Sequence, residues 1–187
     1  MSSPGEHESQ DAALHGRGGF DEGAFDALYR STVADVHAYA ISLLGERPAA
    51  EDVTALAFER LYRARSRLDR GRGTPRAWLF AIARNAALDE LRRRQRQPHA
   101  ETHESVEERD FTEAIEQVER RATVREAMGR LALRDREVVL LKFHGQLSNA
   151  ELARALGISE SNAGTRLHRA LVRLRERCAD LDHQEVA

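Results

Sequence analysis

The sequence predicts an all-α protein: two small helical domains joined by a flexible acidic linker. Three observations lead there. Leu, Ile, Val and Phe recur at helical intervals through most of the 187 residues, with no strand-period alternation. Residues 148–175 have the grammar of a helix-turn-helix. The charges fall in blocks, net −8 over residues 1–59, +9 over 60–96, −7 over 97–119 and +4 over 120–187. Such blocks in a chain of net charge −2 imply separate surfaces for separate partners.

Each element follows in order. Residues 1–21 are rich in Gly, Ser, His and acid without a period, and read as a disordered tail. From Phe25 the apolar positions Leu28, Tyr29, Val33, Val36, Ile41 and Leu44 trace one helix. Gly45-Glu46-Arg47-Pro48 breaks it. A second helix carries Val53, Leu56, Ala57, Leu61 and Tyr62 on one side and fades into the basic, Gly-rich loop Asp69–Gly73. Thr74 is placed to cap a third helix with Pro75 at its first position. That helix runs through Trp78, Leu79, Ile82, Ala83, Ala86 and Leu91 to the arginines before Pro98. These three helices make a first domain over residues 22–96. The acidic stretch 97–121 reads as the linker, helical toward its end.

The second domain spans residues 122–177, and residues 178–187 form a polar tail. Ser148-Asn149-Ala150-Glu151 has the form of a capping box. Leu152, Ala153 and Leu156 give the helix it opens a buried face, and Gly157 suits a left-handed turn. Ser159 caps the next helix, whose inward face is Ala163, Leu167, Ala170, Leu171 and Leu174. Its outward face offers Ser161, Asn162, Thr165, Arg166, His168 and Arg169. In a helix-turn-helix this second helix enters the major groove, where Arg reads guanine and Asn reads adenine. An ordinary αα-hairpin with a solvated basic face would show the same pattern.

Several classes are excluded or disfavoured. No run approaches the ~18 apolar residues of a spanning helix, so no membrane is expected. One cysteine, Cys178, leaves no internal disulfide and no Cys-rich zinc site. Without a signal-peptide pattern at Met1 a cytoplasmic location is expected. No phosphate loop, nucleophile elbow or zinc-protease motif appears, so no catalytic residue, cofactor or metal is assigned. His99 and His103 share helical spacing but have no companion ligand and read as solvated.

Four stretches together carry a family resemblance. They are Ala50–Val53 with Phe58–Tyr62, Arg76–Arg93, Leu133–Leu141, and Arg166–Leu171. In this order and spacing the chain resembles an extracytoplasmic-function (ECF) sigma factor of the sigma-70 family. The resemblance implies a sigma-two domain that docks on the clamp of core RNA polymerase and opens the minus-ten element. It also implies a sigma-four domain that grips the polymerase flap and reads the minus-thirty-five element. Promoter DNA, double- and single-stranded, and an anti-sigma protein are the further partners implied. Residue by residue, Asp52, Phe58 and Leu61 correspond to polymerase contacts. Arg70, Arg72, Trp78, Asn85, Asp89, Arg92 and Arg93 correspond to the minus-ten face. Ser161, Asn162, Thr165, Arg166 and Arg169 correspond to the minus-thirty-five face. Ala55-Leu56 stands where many members carry Gln-Glu, and Gly164 where Lys is common. The alternative function is an operator-binding helix-turn-helix regulator, which needs no polymerase-docking domain. A decoy that mimics a sigma domain is a third, and the two DNA-facing domains speak against it.

Overall fold

The computed structural model describes residues 20–67, 73–96 and 115–185. Seven α-helices and no strand occur among the described residues. They are α1 (Glu22–Leu44), α2 (Arg47–Ala64), α3 (Pro75–Arg96), α4 (Ile115–Gly129), α5 (Leu133–Phe143), α6 (Asn149–Leu156) and α7 (Glu160–Glu185). A 3₁₀ turn, Arg65–Arg67, follows α2. No helix among the described residues is long and apolar enough to cross a membrane.

Local chemistry sets the boundaries. Asp21 caps α1 by accepting from the Ala24 N–H at 2.8 Å, so the helix begins one turn before Phe25. Gly45, at φ 73°, ends α1 and donates its N–H to the Ile41 carbonyl. Pro48 sits in the first turn of α2, where a missing N–H costs nothing, so the expected break is also a helix start. The Thr74 hydroxyl accepts from the Ala77 N–H at 3.2 Å and Pro75 opens α3.

Helices α1, α2 and α3 pack pairwise around Leu28, Val36, Leu43, Val53, Leu61, Leu79, Phe80 and Ala83. The buried hydroxyls of Thr32 and Thr54 donate back to the Leu28 and Ala50 carbonyls, which satisfies them within their own helices. In the second half α4, α5 and α6 all pack on α7, with Leu131, Val138, Leu141, Leu147 and Leu152 inside.

The two halves are not separate bodies. Contacts of α3 with α6 and of α1 with α5 join them, and one apolar cluster runs from Phe20 to Ala170. Hydropathy patterning gives most of the buried faces, with Tyr29 of the expected α1 face exposed, but does not reveal that the two sets share a core. Of the sequence expectations, residues 1–19 of the N-terminal tail, the linker up to residue 114, His99, His103, Arg70 and Arg72 lie outside the described residues. Phe20 and Asp21, expected in that tail, belong to the fold as a core residue and a helix cap, and α7 continues through the expected polar tail to Glu185 because Leu181 extends its buried face.

Candidate nucleic-acid interface

The helix-turn-helix forms as its sequence dictates. The Ser148 hydroxyl accepts from the Glu151 N–H at 3.3 Å, while the Glu151 carboxylate accepts from the Ser148 N–H at 2.9 Å. Gly157, at φ 68°, turns the chain left-handed between α6 and α7. Ser159 then accepts from the Asn162 N–H at 3.3 Å. Leu152, Ala153, Ala163 and Ala170 are buried at the crossing, and the small side chains let the helices approach closely. Ser161, Asn162, Thr165 and Arg169 are left exposed on α7. Arg166 behaves differently. Its guanidinium donates to the Arg134 carbonyl at 3.1 Å and lies 3.7 Å from the buried Glu137 carboxylate.

On α3, Asn85, Asp89, Arg92 and Arg93 are exposed, whereas Trp78 is half-buried against the core. Asp89 accepts from Arg92 at 2.9 Å, and Glu90 accepts from both Arg93 and Arg94. The hydrogen bond from Arg93 is the largest influence on Glu90, and with Arg94 it pulls the carboxyl down to about 2. Arg94 also donates to the Leu44 carbonyl and pairs with Glu46, tying the end of α3 to the end of α1. The basic end of α3 is therefore a ladder of cations partly neutralised by Asp89 and Glu90, with Arg92 and Arg93 still presented to solvent.

On α2 only Asp52 of the three expected polymerase contacts is exposed. Phe58 is 5% and Leu61 0% exposed. Phe58 packs edge-on against Phe25 and Tyr29, at centroid distances of 6.3 and 4.8 Å. The core of the first half needs both side chains, so they hold α2 in place and do not reach its surface. Ala55 is exposed, and Leu56 rests half-buried on the core where the family pattern has a polar pair.

A second set of polar residues, whose pairing across the halves sequence reasoning did not foresee, lies between them. The Thr74 hydroxyl donates to Glu151 at 2.6 Å, so one carboxylate serves the starts of α3 and α6. Burial pushes the Glu151 carboxyl up, but the Thr74 and Ser148 hydrogen bonds outweigh it and leave it below the usual range. Arg76 pairs with Asp35 at 2.5 Å and donates to the carbonyls of Gly145 at 2.7 Å and His144 at 2.8 Å, just past the end of α5. A cation there complements the helix dipole. Arg84 pairs with Glu137, whose side chain is 4% exposed. One signal existed for Glu137: it stands one turn before the fully buried Leu141, so helical period alone puts a carboxylate on the inner face of α5.

Comparison with known proteins agrees with this architecture. Residues 28–97 match the family model for sigma-70 region 2, and residues 121–174 match that for sigma-70 region 4. The ECF RNA polymerase sigma factor SigL of Mycobacterium tuberculosis is 30% identical over 166 residues, covering 88% of this chain and 94% of SigL. SigK of Mycobacterium bovis is 28% identical over 177 residues, covering 91% and 94%. Among solved structures, the sigma factor RpoE of Bartonella quintana, complexed with the anti-sigma factor NepR, superposes with a TM-score of 0.67 at 22% identity. That match covers 82% of this chain and 96% of RpoE. CnrH, in complex with the cytosolic domain of CnrY, gives 0.62 at 26% identity and covers 94% and 96%. With both sigma-70 regions in order and a helix-turn-helix built to present α7, the chain belongs to the ECF RNA polymerase sigma factors of the sigma-70 family.

Proposed function

We propose that this sigma factor brings core RNA polymerase to its promoters through three surfaces. The α2 face around Asp52, held rigid from within by Phe58 and Leu61, docks on the polymerase clamp. The end of α3 carrying Asn85, Asp89, Arg92 and Arg93, with Trp78 and the loop arginines Arg70 and Arg72, engages the minus-ten element. Unstacking a base costs a few kcal/mol, which contacts to the opened strand offset. The α7 face reads the minus-thirty-five element through Ser161, Asn162, Thr165, Arg166 and Arg169. Asn162 suits adenine and the arginines suit guanine or phosphate.

The observation that carries this reading is the exposed polar and cationic face of α7 beyond a complete capping-box turn. The chain acts in the cytoplasm, is not an enzyme and takes an anti-sigma protein as a further partner, as RpoE does with NepR. An operator-binding regulator needs no sigma-70 region 2 and is not favoured. Run-off transcription tests the proposal. The chain is mixed with sigma-free core polymerase and a genomic promoter library, and RNA 5′ ends are sequenced. Discrete starts sharing two upstream motifs are expected. Failure to co-elute with core polymerase, with no starts, would sink it.

A further inference from the structure

The capping box of α6 leaves one polar side chain over. Ser148 and Glu151 satisfy the start of the helix between them, and Glu151 also accepts from Thr74. Asn149, the first residue of α6, is exposed, and its amide makes no hydrogen bond among the described residues. A group that both donates and accepts is thus held at the start of the helix-turn-helix with no partner inside the fold.

Its neighbour in space is the other helix. The place a Cβ would take on Gly164 of α7 lies 3.8 Å from the Asn149 amide nitrogen and meets nothing else within 4 Å. A methyl there would touch the amide, and a longer side chain would displace it. Gly164 stands at the edge of the outward face of α7, with the exposed Ser161 and His168 about one turn before and after it. The missing side chain is therefore a notch beside the face that offers Ser161 and Thr165, and Asn149 lies across it. Neither residue suits its own helix: glycine is disfavoured in a helix interior, and asparagine favours caps and turns over helical positions. Two departures from local preference, distant in sequence and adjacent in space, point to a use outside the fold.

That use follows from the chemistry of the major groove. There an asparagine amide donates to N7 of adenine and accepts from its N6 amino group, a pattern that distinguishes adenine from the other bases. We propose that Asn149, lying across the notch at Gly164, reads one adenine of the minus-thirty-five element, so that the first helix of the helix-turn-helix supplies part of the promoter specificity. Asn149 adds one base pair to those read by the exposed face of α7, and Gly164 leaves the room that lets it do so. The inference rests on the promoter reading above.

The experiment maps base preference with the full chain bound to core polymerase. Run-off transcription first supplies a promoter. Each base pair of its minus-thirty-five region is then varied in turn, and the variants compete for the holoenzyme. The wild type is expected to prefer adenine at one position that Asn149→Ala no longer discriminates. Affinity for the preferred sequence should fall about 10- to 100-fold, with every other preference kept. Asn149→Asp should move the preference at that position to cytosine, whose N4 amino group donates to a carboxylate. Gly164→Leu should erase the same preference although Asn149 is intact, and adding Asn149→Ala to it should cost nothing more. Asn149→Ala and the wild type should melt within about 2 °C of each other, because the side chain bonds to nothing in the fold. A uniform loss on every sequence would make Asn149 a phosphate contact and overturn the inference. So would an unchanged preference in Asn149→Ala, or a loss that follows a fall in Tm. Discrete starts with indifferent Asn149 variants would leave the promoter reading standing without this residue, whereas no starts from the wild type would sink both.

Discussion

Glu90 shows how much one side chain organises. It accepts from Arg93 and Arg94, and Arg94 reaches on to the Leu44 carbonyl and Glu46. Because Arg93 and Arg94 hold its carboxyl near 2 instead of 4.5, its stabilising contribution is full above about pH 5 and fades as pH falls from 4.5 toward 2. Glu90→Gln should therefore lower the urea midpoint of unfolding at pH 7, with a smaller deficit at pH 3.5. An equal deficit at both values would show that the charge is not what matters. Gly164 is the opposite case, a residue that organises nothing within the fold. Its backbone is not left-handed, and an added Cβ would meet only the Asn149 amide nitrogen at an ordinary 3.8 Å. Gly164→Ala should stabilise α7 by about 1 kcal/mol and raise Tm by about 2–4 °C. If the glycine lets the backbone approach DNA, the same variant will weaken minus-thirty-five binding while the protein melts higher. Unchanged binding would assign the glycine no role at the promoter.

At the scale of elements, α6 is only eight residues long, too short to hold itself together without its cap and its packing on α7. Ser148→Ala should cost about 1 kcal/mol in thermal unfolding. It should also weaken promoter binding, since α6 braces α7. Ser148→Thr keeps the oxygen acceptor and should restore most of both; loss of stability in Thr as large as in Ala would mean that the cap hydrogen bond is not the source. The elements were legible because their signals are local. The capping box, Gly45, Gly157 and Thr74-Pro75 each act within a few residues, and hydropathy period shows most of the buried faces, although Tyr29, Val124 and Phe143 are apolar and exposed. Other features were not legible, since their cause is distant. Thr74 finds Glu151 77 residues away, Arg76 finds Gly145 69 away, and Arg84 finds Glu137 53 away. Nothing in the spacing of those residues announces their pairing. The burial of Phe58 and Leu61 was half legible: helical period puts both inward, and the family pattern alone suggested a surface role.

For the whole molecule, the net charge of −2 gives no long-range attraction to a polyanion, so DNA affinity has to come from local cationic faces. The sequence shows those faces as charge blocks but not which cations are already engaged inside the fold. Arg166 is, through Glu137 and the Arg134 carbonyl, whereas Arg169 is exposed on the same helix. The two should therefore separate when binding of the polymerase holoenzyme to a promoter is followed from 50 to 200 mM salt, a range chosen because phosphate contacts weaken steeply across it. If Arg169 clamps a phosphate, Arg169→Ala should flatten the slope of log affinity against log salt by about one, equally for every promoter sequence. If it reads guanine, the loss should be about 1–3 kcal/mol on the preferred sequence and small on others. Arg166→Ala carries a second effect, because it also strips the buried Glu137 of one of its two cations. It should therefore lower Tm as well as weaken promoter binding, whereas Arg169→Ala should weaken binding with Tm unchanged. An unchanged Tm in Arg166→Ala would mean that its pairing with Glu137 adds nothing to the stability of the fold.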